Sequence, residues 1–277
     1  MNSREREGGP LASVRDTAMI CRRLVKRYGG NLLFLGTLFS VGFIGYHRLQ
    51  YNWQWYRIPE YLFTVENGKI VTGMLLDGLT VTLTISSLGL LLAMGIGVVT
   101  ALMRLSASPI LRLLAVCYVE LVRNTPLLIQ LFVMYFVISP VLGLSPFVSA
   151  LAALCLFEGA YASEIIRAGI ISLPRGQWEA GLSLGMSVFD IYRDIVVPQV
   201  MPQILPMLAG QSVSLIKDSA LVSTISIFDL TMQGRRIVSD TFLTFEIWFT
   251  VAFCYFLLTA PLALMIARLE KRFGIHE

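Results

Sequence analysis

The stretch from Ser172 to Pro206 reads SLPRGQWEAGLSLGMSVFDIYRDIVVPQVMPQILP, and it decides how the rest of the chain is read. Its charges, Arg175, Glu179, Asp190, Arg193 and Asp194, make it polar enough to leave a bilayer. Apolar residues nonetheless recur: Trp178, Leu182 and Met186 fall at i, i+4 and i+8, one side of a helix. Charged Glu179 and small Ala180 and Gly181 sit beside them, and Gly185 offers a stop because glycine accepts a left-handed backbone. The spacing predicts a short amphipathic helix along a membrane face. Its apolar stripe, lying outside the lipid, calls for a cover.

On both sides of this stretch the chain is depleted of charge. Of 277 residues, 56% are hydrophobic and 14% charged, against about 25% charged in soluble domains. A spanning helix needs about 20 mostly apolar residues. Uncharged runs extend over Tyr28 to His47, Gly78 to Met103, Asn124 to Phe157, Ile195 to Ile216 and Ile247 to Ala267. The third run is too long for one helix and contains SPVLGLSP, Ser139 to Pro146, whose prolines and glycine divide it into two spans. The expected fold is all-α: a polytopic membrane protein of about six helices. The first run starts too far into the chain, and lacks a small-x-small site, to read as a cleaved signal peptide. Tyr51, Trp53, Trp55 and Tyr56, which follow it, suit a membrane–water interface.

Positive charge sets the orientation. With the N-terminus inside, Arg4, Arg6, Arg15, Arg22, Arg23, Lys26 and Arg27 lie on the cytoplasmic side. So do Arg104 and Arg112, then Arg167, Arg175 and Arg193, and finally Arg268, Lys271 and Arg272. The opposite side receives Arg48, Arg57, Lys69, Arg235 and Arg236. This asymmetry places both termini in the cytoplasm. The expected organisation is a basic tail over 1–27, and an N-terminal helix with its periplasmic connection over 28–72. The main membrane domain follows over 73–272, with its cytoplasmic loop at 172–198, and a short tail over 273–277.

Several chemistries find no support. The net charge of +4 gives no broad basic field for nucleic acid. Cys21, Cys117, Cys155 and Cys254 form no CxxC pair, and His47 and His276 have no partner at metal-ligand spacing. There is no GxxxxGK[ST] phosphate loop.

The central stretch resembles the EAA loop of the permease subunits of ATP-binding-cassette (ABC) importers. That pattern has Glu-Ala-Ala, a Gly four residues after the second Ala, and an Ile-x-Leu-Pro tail. Glu179, Ala180, Gly185, Ile195 and Pro198 match at the right spacing, while Gly181 replaces the second Ala and Val197 the Leu. The segments YVELVRNTPLLIQ (Tyr118 to Gln130), SEIIRAGIISLPRGQWEA (Ser163 to Ala180) and LIKDSALVSTI (Leu215 to Ile225) resemble the polar amino acid branch. The resemblance covers roughly Asp77 to Arg272. It implies a five-helix core of the type I importer kind plus one N-terminal helix, in the bacterial inner membrane. The loop, with Trp178 beside Glu179, would dock as a coupling helix in a separate ATPase dimer at the cytoplasmic face. A periplasmic or surface binding protein would deliver an amino acid of the glutamate or glutamine kind. A second permease chain, identical or related, would complete the path. The chain itself would need no cofactor and perform no covalent chemistry, since ATP would be bound by the partner.

Ionisable groups inside spans are costly and mark pathways or internal pairs. Glu120 and Arg123 are three apart on one helix face, where they could form an internal ion pair, either lining the path or anchoring a span end. Glu158 and Glu164 are six apart and point to different sides, Glu158 being the deeper. Lys217, Asp218 and Ser219 interrupt an apolar stretch; they suit a zwitterionic amino acid, or fix helix packing as an ion pair. Ser214 and Ser223 add hydroxyls. The competing reading is an ion-gradient-driven secondary transporter with Glu158 and Asp218 as a proton relay. It leaves the EAA-type loop unexplained and finds no inverted repeat in its favour.

Overall fold

The computed structural model describes residues 33–40, 42–45, 51–66 and 68–273. It divides into two compact units, Met1–Trp53 and Gln54–Glu277. In the first unit an apolar helix, α1 (Leu33–Gly45), presents large exposed side chains such as Phe34, Leu35 and Phe39. Thr37 and Ser40 turn their hydroxyls onto its own carbonyls. The basic tail, the ends of the expected first span, Arg48 and both histidines lie outside the described residues.

The second unit opens with a short helix α2 (Ile58–Leu62) and an antiparallel hairpin, β1 (Phe63–Glu66) and β2 (Lys69–Thr72). The hairpin qualifies the all-α expectation: its four-residue strands are too short to register in a sequence dominated by helical runs. The first long helix, α3 (Met74–Leu105), follows after Gly73. It overruns the expected Gly78–Met103 at both ends, taking in Asp77 and Arg104. An acid in the first turn and a base in the last suit the helix dipole, so neither charge stops the helix.

The buried positions of α3 are mostly small or polar, among them Gly78, Ser86, Gly89, Ala93, Gly97 and Ala101, recurring every three to four residues. The large residues Leu91, Val99 and Leu102 point outward. Small residues inside and large apolar ones outside are what lipid as solvent selects, because the backbones gain by approaching closely. The stripe meets α6 (Pro146–Ser172). A Cβ on Gly97 would stand 2.7 Å from that of Ala162.

The stretch between α3 and α6 holds two helices. The first, α4 (Pro109–Arg123), was hidden in the sequence because Arg112, Glu120 and Arg123 interrupt its apolar residues. After Asn124–Pro126 the chain turns by 106° into α5 (Leu127–Leu142). Pro126 cannot continue the hydrogen-bond ladder, and the Gln130 amide substitutes for it by donating to Val122 O at 2.7 Å and Thr125 O at 3.1 Å. The predicted division of the long run holds: Gly143 leaves α5 at φ 65°, and Ser145 caps α6.

Beyond α6 comes a nine-residue helix, α7 (Arg175–Ser183), then a π-helical turn, Ile191–Val196, that runs straight into α8 (Val197–Asp218). Pro202 and Pro206 lie inside α8, and the helix remains continuous. A 3-10 segment, Ser219–Ile225, and α9 (Leu230–Thr241) lead to α10 (Thr244–Phe273). Only the first turns of α10 are buried, at Glu246, Ile247, Thr250 and Val251, while Phe253, Phe256 and Leu264 face outward. By length and apolarity α3, α6 and α10 each suffice to cross a membrane, and α4 with α5 suffice as a bent pair. At 22 residues α8 has the length but is more polar.

Candidate functional site

The central loop has the predicted helix and the predicted stop. Gly185 adopts φ 73°. Its amide donates to Leu182 O at 2.9 Å and that of Met186 to Gly181 O at 3.1 Å, the paired bonds of a Schellman cap. The apolar stripe is not a single face, however. Trp178 and Met186 pack inward against the cluster that contains Ile191, Val196 and Val200. Leu182 and Leu184 stay exposed, at 58% and 80%. The inward half has its cover within the chain: the ring of Tyr192 stands edge-on to Trp178 with centroids 5.1 Å apart.

Gly181 is buried here, and a Cβ on it would lie 2.8 Å from Ile191 Cγ1 and 3.0 Å from Ile195 Cδ1. Gln199 Nε2 donates to Gln177 Oε1 at 3.1 Å, a second tie between α7 and α8. Glu179, Ala180 and Pro198 are exposed, Ile195 half-buried. Arg193 chelates Asp194 through two bonds of 2.7 Å, and this contact holds the Asp194 carboxyl below its usual range. Ile191 and Tyr192 had no place in the sequence reading. Their signal was their position ahead of α8, with side chains long enough to reach back onto α7.

Inside the bundle, Glu158 on α6 is 1% exposed. Its Oε2 accepts a hydrogen bond of 2.8 Å from Gln211 Nε2 on α8. The Asp218 carboxyl is close enough to act on it electrostatically. Three polar groups from two helices therefore meet among apolar side chains. Lys217 is exposed and forms no ion pair with its neighbour Asp218, which is half-buried; adjacent residues on a helix point about 100° apart. The internal Lys217–Asp218 pair considered from sequence is thus not formed. Ser219 and Ser223 are buried, and each donates into its own segment, to Ile216 O and Ala220 O. Gln211 was missed in the sequence, yet it lies seven residues before Asp218, on the same helix face.

The second correction concerns Glu120 and Arg123. Arg123 does not pair with Glu120, which instead accepts from Asn124 Nδ2 at 3.0 Å. It reaches across to Glu164 on α6 at 3.4 Å and lies over the Tyr161 ring. Arg167 holds the same carboxylate at 3.2 Å, and Arg104 of α3 joins it from the other side. Glu164, the shallower of the two α6 glutamates, ties α3, α4 and α6 together.

The family described as "Binding-protein-dependent transport system inner membrane component" matches residues 93–275, which include α7, the Glu158 cluster and Glu164. The chain belongs to this family. It is a permease subunit of the ABC importer type and a multi-pass membrane protein. The secondary-transporter reading is set aside. The "Glutamine transport system permease protein GlnP" of Escherichia coli (strain K12) is 34% identical over 205 residues, 73% of this chain and 94% of that relative. The "L-cystine transport system permease protein TcyB" of Bacillus subtilis (strain 168) is 36% identical over 203 residues, 72% of this chain and 86% of its own length. A solved structure described as an "amino acid ABC transporter with histidines" superposes with a TM-score of 0.66 at 35% identity, covering 72% of this chain and 94% of the other. The MetNI methionine ABC transporter, in an inward-facing form, shares the fold at TM-score 0.63 and 18% identity.

Within this importer permease fold the site has two parts. The helix α7 is packed onto the start of α8, and the same α8 carries Gln211 and Asp218 to the buried glutamate.

Proposed function

We propose that this chain moves a polar amino acid inward by alternating access, with Glu158, Gln211 and Asp218 receiving the substrate and α7 receiving the ATPase. The observation that carries the reading is the buried Glu158 carboxyl, bonded to Gln211 and set directly beside the Asp218 carboxyl in a cluster shared by α6 and α8. An isolated buried carboxylate is expensive unless paired or hydrogen-bonded, and a ligand ammonium is the group that would complete this one. Arg123 and Lys217, both exposed cations, then serve the carboxylate end of a zwitterion along the path. Ser219 shapes the 3-10 turn after Asp218. Two carboxyls around one amide favour glutamine-like or basic amino acids over glutamate.

In this reading both termini are cytoplasmic. The helix α1, with the connection up to residue 72, is an addition to a five-helix core spanning 73–272 in the bacterial inner membrane. Trp178, Gly181 and Ile195 brace the coupling helix, Gly185 and Pro198 bound it, and Glu179, Ala180 and exposed Leu182 meet the groove of an ATPase dimer. That dimer binds the ATP, and the permease needs no cofactor and catalyses no reaction. A binding protein delivers the amino acid on the opposite side, and a second permease chain, identical or related, completes the path.

The test is uptake of labelled glutamine, glutamate, arginine and histidine by proteoliposomes carrying the assembled transporter. Glu158→Ala and Asp218→Ala should each abolish uptake while the complex still assembles. Normal uptake by both variants would overturn the assignment of the site.

A further inference from the structure

The hairpin between residues 63 and 72 lies outside the stretch that the family matches, 93–275. Its Cα register pairs Phe63 with Thr72, Thr64 with Val71, Val65 with Ile70, and Glu66 with Lys69. Directly opposed residues share a face and successive residues alternate. One face therefore carries Phe63, Val65, Ile70 and Thr72, and the other Thr64, Glu66, Val71 and Lys69. The first face is bare: Phe63 is 56% exposed, Val65 70% and Ile70 76%. An isolated two-stranded hairpin with such a face is marginal in water.

Its setting tells what covers it. The strand β2 ends at Thr72, and one residue later the lipid-crossing α3 begins. The junction is stiff: Gly73 N donates to Leu62 O at 2.8 Å, Thr72 Oγ1 donates to Asp77 at 2.5 Å, and Ile58 of α2 is buried in the cluster around Leu75 and Ile247. Bound this closely to the start of a span, the hairpin is held at the membrane surface. Trp55 and Tyr56, exposed by 47% and 78% at the same end, have the amphipathic rings that favour that depth. Three apolar side chains on so small a hairpin are too few for a stable protein interface, whereas they suit the boundary between headgroups and acyl chains.

We infer that the 63–72 hairpin is an interfacial anchor: its Phe63, Val65 and Ile70 face enters the headgroup–acyl boundary of the leaflet where α3 begins, and its Val71 and Lys69 face stays in water. The anchor fixes the depth and rotation of the start of α3.

The test uses the full chain in phosphatidylglycerol–phosphatidylcholine vesicles, with Cys21, Cys117, Cys155 and Cys254 replaced by serine. Ile70→Cys and Val71→Cys, neighbours on opposite faces, are labelled with an environment-sensitive fluorophore. A lipid nitroxide placed near the headgroup should quench the label at 70 severalfold more than that at 71, and aqueous iodide should show the reverse order. Equal iodide quenching at both positions would overturn the anchor. So would a label at 70 shielded from both quenchers, which means a protein cover such as a second copy. Val65→Cys, directly opposite Ile70, repeats the reading if labelling at 70 disturbs the strand.

Discussion

Gly181 and Ile191 are in contact across the turn that joins α7 to α8: a Cβ on the glycine would stand 2.8 Å from Ile191 Cγ1. This contact locks α7 against the helix that carries the polar cluster. The atoms facing Gly181 belong to isoleucine side chains that can turn, so Gly181→Ala should be tolerated with a modest loss of coupling. Gly181→Val has to displace them, and overpacking of this kind costs about 1–3 kcal/mol. Adding Ile191→Ala to Gly181→Val should restore part of the loss. A double-mutant cycle on thermal stability in detergent measures it; strictly additive effects would mean that the two residues do not touch.

Gly185 ends α7 with φ 73°. Gly185→Ala should cost about 1–2 kcal/mol, the penalty of a left-handed backbone for a residue with a Cβ. Gly185→Asn should cost less, because asparagine tolerates that region. Hydrogen exchange at residues 184–186 reads the cap: faster exchange in the alanine variant than in the asparagine variant is expected.

Glu158 offers a case where function and stability separate. The buried carboxyl stands against the carboxyl of Asp218, so an isosteric amide should relieve the chain as it removes the ligand contact. Glu158→Gln should leave the melting temperature unchanged or raised while uptake falls by about tenfold or more, the equivalent of 1.4 kcal/mol or above. A drop in stability equal to the drop in transport would show that Glu158 only holds α6 to α8.

Glu164 makes the opposite prediction. Removing the carboxylate leaves Arg104, Arg123 and Arg167 facing one another, so Glu164→Gln should destabilise by about 1–3 kcal/mol, moderated by partial exposure. Arg123→Ala should cost less than Arg104→Ala, because Arg123 is 41% exposed and Arg104 15%. Thermal unfolding in detergent decides, and the reverse order would contradict the cluster.

Much of this was legible from charge spacing alone. The uncharged runs located α3, α5, α6, α8 and α10, because lipid admits few charges. SPVLGLSP located the break after α5, and Gly185 the end of α7, because proline and glycine act on the backbone locally. What depends on packing stayed hidden. The arginines around Glu164 come from positions 104, 123 and 167, distances in sequence that only the bundle closes. The stripe of Trp178, Leu182 and Met186 looked like one outward face because periodicity does not tell that Tyr192 will fold back against Trp178. The hairpin was invisible because Phe63–Thr72 sits between apolar helices and is too short for its alternation to stand out. Gln211 was readable at its seven-residue spacing from Asp218, but an amide carries a weaker signal than a charge.

The most direct test of the account is amino-acid-stimulated ATP hydrolysis in proteoliposomes containing this permease, its ATPase and its binding protein. The account predicts that the liganded binding protein stimulates hydrolysis, that Gly181→Val sharply weakens the stimulation without preventing ATPase assembly, and that Glu158→Ala abolishes uptake. Full stimulation in the Gly181 variant, with uptake intact in the Glu158 variant, would contradict it.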